Sequence, residues 1–284
     1  MYEIPSRSPS LAARCTLHAA LFTVLTSTAC SFGGSEKSDP ALFTWSGPLA
    51  APGTVHLRNL NGEIIVRQSP DSSVHVTASA TWHKGNPKRD MNFQVVTSGS
   101  DLTICAIWGH GTCSATAYNS SSSGFSKLFG RSTDANVTLT VLVPARVLVD
   151  ATTMNGDVNV TASAPVHART VNGDVKVGTA VGPVDAVTVN GSVDIRMTTL
   201  TGTDQVRAES VTGDVNAWLP ETLDASVSLS TVTGDVSADY GVAASAGKKL
   251  SATIGAGGRT VTIKSVTGSA RLGRLAADGS IAKP

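Results

Sequence analysis

Residues 166–177 read VHARTVNGDVKV. Apolar side chains alternate on both sides of a central Asn-Gly: Val166 and Ala168 before it, Val175 and Val177 after it. A period of two predicts a half-buried strand on each side, not a helix. Asn-Gly between them predicts a sharp corner. The unit generalises to V-x-(A/L/I)-x-(T/S)-V-(N/T)-G-(D/S)-V-x-(V/I/A). A variant of it spans residues 55–66 (VHLRNLNGEIIV). The corner glycines are Gly62, Gly156, Gly173, Gly191, Gly213, Gly234 and Gly268. From Gly156 onward they are spaced 17, 18, 22, 21 and 34 residues apart.

A period near 20 predicts units that bury an apolar face only by stacking on their neighbours. The expected fold is all-β: a single elongated β-solenoid of ~20-residue rungs with Asn/Thr-Gly corners. The last gap leaves room for an extra rung or a loop near residues 256–259. Asn fills the slot before glycine in the first four corners and Thr in the last three, and β-branched Thr resists a left-handed backbone. Positive φ is therefore expected at the glycine, with the Asn and Thr side chains aligned as a ladder. Asn-Gly is also a hairpin signal, which would give a sandwich. The like apolar register on both sides of every corner favours the stack.

Outward from the repeats the chain is less regular. Residues 74–78, 93–95, 102–104 and 137–143 alternate as strands, and Pro144 ends the last. Residues 108–134 are expected to be a loop insertion. Its serine run (120–123) and Gly124 read as surface, and Phe125, Leu128 and Phe129 as an apolar patch expected to cap an open end of the stack, with contact to a partner as the alternative. The domain plan is residues 42–143 as irregular N-terminal rungs and 144–284 as regular repeats.

Residues 1–29 are expected to be a signal peptide. Arg7 and Arg14 precede an apolar run of about 11 residues, too short to span a bilayer. Ser27, Thr28 and Ala29 then lead to Cys30. The segment is similar to a bacterial lipobox, with Cys30 as the lipidated residue and 30–41 as a tether; cleavage after Ala29 without lipid is the alternative. Cys105 and Cys113 lie eight apart across a glycine-containing segment and are expected to form a disulfide in an oxidising compartment. A metal pair completed by His110 is the other reading, and it lacks a fourth ligand nearby.

Once residues 1–29 are removed, basic and acidic residues balance. That gives no electrostatic footprint for nucleic acid. The repeated NGDV and TGDV corners, the lead-in VTLTVLVPARV (137–147) and the late segment at 248–272 resemble the DUF4097 adhesin-like family over about 44–272. The resemblance implies a bacterial, envelope-associated β-solenoid and brings no catalytic residues.

Asp157, Asp174, Asp214 and Asp235 follow corner glycines; Glu63 takes the same slot, and Ser192 and Ser269 interrupt the column. The expected role is that of a turn residue bonding local backbone; a calcium column is the alternative. No nucleophile elbow, zinc pair or phosphate loop appears, and the histidines are scattered. No cofactor is expected. The function read from the sequence is a non-enzymatic envelope module of adhesin-like or scaffolding type. It is expected to reach a membrane through a lipid anchor and to bind an envelope protein or glycan. The alternative is a carbohydrate-active β-helix enzyme.

Overall fold

The computed structural model describes residues 35–109, 111–116, 118–119, 133–162, 164–179, 182–242, 247–276 and 278–282. The chain divides into Met1–Gly34 and a compact unit Ser35–Pro284. Cys30, the expected signal segment, His110 and the patch at Phe125, Leu128 and Phe129 lie outside the described residues.

The compact unit opens with β1 (Lys37–Pro48), so a strand begins inside the segment expected to be a tether. β2 (Thr54–Arg58) and β3 (Ile64–Gln68) flank the Gly62 corner. Then come β4 (Ser73–Trp82), the one-turn helix α1 (Pro87–Asp90), β5 (Met91–Ser98) and β6 (Asp101–Trp108). The small strands β7 (Thr112–Cys113) and β8 (Tyr118–Asn119) pair with each other before β9 (Asn136–Val143).

Beyond β9 the strands come in corner-linked pairs. These are β10 (Leu148–Thr152) with β11 (Val158–Thr161), and β12 (Val166–Arg169) with β13 (Val175–Thr179). β14 (Val184–Asn190) joins β15 (Val193–Met197), and β16 (Val206–Thr212) joins β17 (Val215–Pro220). β18 (Ala225–Ser230) with β19 (Val236–Ala238), the single strand β20 (Lys249–Ile254), and β21 (Thr260–Thr267) with β22 (Ala270–Leu275) complete the chain.

The first strand of every pair lies in one ten-stranded sheet and the second in another, both mostly parallel and neither closed into a barrel. Register follows the repeat: Val166 opposes Val149 on one side and Val184 on the other. Val175 likewise sits between Val158 and Val193. The alternating apolar residues all point between the sheets, where Val166, Ala168 and Val175 are 0% exposed. Each buried Val contributes roughly 1.5–3 kcal/mol. A strand pair alone would leave that face in water, which is why the units hold only as a stack.

Spatial order departs from sequence order at the C-terminal end. β21 pairs with β16 on one side and β18 on the other. β22 likewise lies between β17 and β19. The last repeat is thus inserted between the two that precede it. The long gap before it holds β20, which pairs antiparallel with β18 and closes that edge.

At the other end, antiparallel β5 covers β6, and antiparallel β4 and β1 extend the second sheet past β9. These strands cap the stack. β1 blunts the free edge with Pro40, Pro48 and a break in register between Asp39 and Phe43. Among the described residues no helix is long and apolar enough to cross a membrane.

Candidate binding cleft and the corner columns

The corners form one continuous edge. Gly62, Gly156, Gly173, Gly191, Gly213, Gly268 and Gly234 follow one another in space, each carrying positive φ between 120 and 149°. A Cβ on Gly173 would land on the carbonyl of Gly156. The glycine is therefore required by contact as well as by dihedral angle.

Beside this column runs an asparagine ladder. Asn155 Nδ2 donates to Asn61 Oδ1 at 2.8 Å, Asn172 to Asn155 at 2.9 Å, and Asn190 to Asn172 at 2.9 Å. The threonine corners continue the line through backbone bonds, as where Gly213 N–H donates to Thr267 O at 2.8 Å.

The Ser/Thr of the motif has a role that the sequence reading left unassigned. Thr170 Oγ1 donates to Gly156 O at 2.8 Å, Thr188 to Gly173 O at 2.8 Å and Ser265 to Gly213 O at 2.9 Å. These hydroxyls are buried and satisfy the corner carbonyl of the neighbouring repeat. The Ser/Thr two residues before each Asn or Thr, present at every corner from Thr153 onward, was the available signal.

The Asp residues after glycine also reach across repeats. Asp157 Oδ1 accepts from Asp174 N–H, Asp174 Oδ1 from Ser192 N–H, and Asp214 Oδ1 from Ser269 N–H, each at 2.8 Å. These carboxylates bond the next repeat's backbone, where a bond within their own turn was expected. Among the described residues no group of three or more His, Cys, Asp or Glu is placed to hold a metal. The residue between the hydroxyl and the Asn or Thr points outward: Met154, Val171, Val189, Val211 and Val232 are all exposed.

One end of this exposed column runs into a cleft of about 560 Å³ on the outer face of the first sheet. Leu60, Met154 and Val171 supply its apolar side, and His56, Arg58, Asp150 and Arg169 its charged side. Parallel pairing puts His56 directly opposite Asp150, although 94 residues separate them. His56 Nδ1 lies 2.8 Å from Asp150 Oδ2, and Arg58 Nη2 donates to the same oxygen at 2.5 Å. Arg58 Nη1 donates to the Asp150 carbonyl at 2.9 Å. Burial pushes the Asp150 carboxyl up, but the hydrogen bond and charge of Arg58, helped by His56, hold it below the usual carboxylate range.

Cys105 and Cys113 are joined by a disulfide with Cα atoms 6.3 Å apart. Cys105 opposes Arg58 in the sheet, so the bond ties the β7–β8 hairpin over the arginine. Arg58 Nη2 also donates to Ala115 O in that hairpin. Tyr118 completes the wall: its hydroxyl donates to Ala106 O at 2.6 Å, and burial pushes its pKa up to about 12. The disulfide thus builds one side of the cleft, and the repeat builds the other.

The Toastrack DUF4097 family model matches residues 93–272. Among solved structures the chain is similar to a "putative cell adhesion protein" of Clostridium sporogenes, at 11% identity and a TM-score of 0.44. That likeness covers 84% of this chain and 99% of that one. It is also similar to a "putative adhesin" of Bacteroides fragilis, at 12% identity and a TM-score of 0.35, covering 84% of this chain and 98% of that one. No curated protein matches the sequence. The family match spans well over half of the chain, from β5 to the last strand pair, and the chain belongs to the Toastrack DUF4097 family.

Proposed function

We propose that this protein is a non-enzymatic cell-envelope module of adhesin-like or scaffolding type that binds an envelope protein or glycan. In this reading its repeats are the rungs of a β-solenoid. The signal segment exports it, Cys30 carries the lipid anchor, and the residues after Cys30 hold the folded unit away from the membrane.

The observation that carries the binding role is the cleft. It combines a solvent-facing apolar side with a rigid charged floor and a disulfide-tied wall, which is the composition of a recognition site. The corner residues are engaged in holding the repeats together, so they add nothing to this argument. Fold alone does not assign function.

The test is capture from envelope extracts and a glycan array, comparing wild type with Met154→Arg. Met154 is 47% exposed, so the substitution obstructs the cleft without touching the core. Loss of a captured partner with unchanged melting supports the role. Equal capture by both proteins removes the cleft from it. Turnover of a polysaccharide that disappears in Asp150→Asn would replace the whole reading with the carbohydrate-active one. Expressing Cys30→Ala should move the protein from the membrane to the soluble fraction, and persistent membrane association would refute the anchor.

A further inference from the structure

The outer face of the second sheet contains a natural comparison between two mid-strand glycines. Thr161, Gly178, Arg196, Trp218 and Gly273 oppose one another in succession across five parallel strands. Glycine inside a strand weakens it and marks a bulge or a close approach.

Gly273 is accounted for. The Trp218 ring lies where its Cβ would stand, in the manner of an aromatic covering a sheet glycine. Trp218 is held there from two sides: Nε1 donates to Asp194 Oδ2 at 3.2 Å, and the Arg271 guanidinium lies 5.0 Å from the ring centroid.

Gly178 has no such account. Its φ is not positive, and a Cβ would meet nothing closer than Thr161 Oγ1 and Val160 O, each 3.9 Å away. Neither backbone conformation nor packing among the described residues demands glycine there. Instead, two clefts of about 340 and 450 Å³ meet at this notch and share Thr161, Gly178 and Arg196 as lining.

The rim is chemically specific. Asp194 Oδ1 accepts from Arg196 Nε at 2.9 Å. The two terminal nitrogens of Arg196 carry no bond to any described residue, so its fork remains available. Asp194 therefore couples Arg196 to the fixed Trp218. The Lys176 ammonium stands 3.8 Å from Asp174 and is largely exposed. The side-chain amide of Asn216 has no partner among the described residues.

We infer that the Gly178 notch binds an acidic sugar unit, of hexuronate type, within a glycan. This rests on the reading of the chain as a binding module and names the ligand of a second surface on it. The shared lining of Thr161, Gly178 and the Arg196 stem exposes mainly carbon surface, which suits the face of a pyranose ring. The Arg196 fork takes the carboxylate bidentately, while Asn216 and Lys176 meet ring hydroxyls. An aromatic side chain from a protein partner would use the floor but leave these polar groups unmatched.

The test is calorimetric titration of the full-length chain with tri-galacturonate and with the neutral galactose trimer, alongside thermal melts. Wild type is expected to bind the acidic trimer at least tenfold more tightly than the neutral one. Gly178→Leu should abolish binding with a melting temperature equal to or above wild type. Arg196→Gln should remove the preference for the acid. Wild-type affinity in Gly178→Leu overturns the site. If binding instead disappears in Met154→Arg, the notch is wrong while the binding-module reading stands. If no sugar binds but Gly178→Leu blocks capture of an envelope protein, a protein partner occupies the notch and the sugar assignment falls. If neither occurs, the proposal falls as well.

Discussion

Gly173 and Gly178 sit five residues apart on one repeat and should answer substitution in opposite ways. Gly173 has φ 148° and its Cβ position is taken by a neighbouring carbonyl. Gly173→Ala is expected to cost about 2–4 kcal/mol, from strain and a displaced corner. Gly178 carries neither constraint, so Gly178→Thr should stabilise by about 0.5–1 kcal/mol. Denaturant melts of both variants check this; equal destabilisation would show that Gly178 is also structural. Thr170→Val keeps the shape but leaves the Gly156 carbonyl short of its side-chain donor, at about 1–2 kcal/mol. The corner glycines were legible in the sequence because the repeat prints them at near-constant spacing. The hydroxyl was legible only as a pattern, since its acceptor belongs to another repeat. Gly178 gave no trace, because a strand glycine reads alike whether a ring covers it or not.

Strands β2 and β10 bring together the Arg58, His56 and Asp150 cluster, and the β7–β8 hairpin covers it. Arg58 and Asp150 side chains are only 9% and 15% exposed, so removing one charge strands the other. Asp150→Ala should cost about 3–5 kcal/mol. The folded Asp150 pKa lies below its unfolded value, so its stabilisation is present above the unfolded value of about 3.9. It is lost as pH falls through the folded pKa. The melting temperature of wild type should therefore fall below pH 4 more steeply than that of Asp150→Asn; parallel curves would assign the acid sensitivity elsewhere. Reducing the disulfide opens a short loop and should cost roughly 2–3 kcal/mol by chain entropy. Amide exchange at Tyr118 should quicken under reductant, with the central repeats unaffected. The cysteine pair itself could be read from its spacing. The cluster could not, because its members lie in separate repeats and only parallel register makes them neighbours.

Across the whole stack, the order of the repeats is the feature least visible in one dimension. The corners at Gly213, Gly234 and Gly268 are chemically interchangeable, each a Thr-Gly followed by Asp or Ser. Local chemistry therefore permits either stacking order, and the only trace of the inserted repeat was the 34-residue gap before Gly268. What selects the observed order is the edge. β20 pairs with β18 and closes the sheet there, leaving the slot between β16 and β18 for β21. The consequence is that residues near the C-terminus are internal to the stack: Val261, Ile263, Ala270 and Leu272 are all 0% exposed. Their burial is of the same order as the entire net stability of a domain, about 5–15 kcal/mol. Ending the chain at Ile254 should therefore unseat β18 to β20 along with the missing strands, and exchange across 225–254 should become fast. In the intact protein, amides of β21 and β22 should exchange as slowly as those of β14 to β17, despite their place in the sequence. If the truncated chain keeps 225–254 protected, the repeats stack in sequence order and the inserted pair is peripheral. The opposite result would show that the inserted pair β21–β22 locks the repeat at 225–238 and β20 onto the rest of the stack.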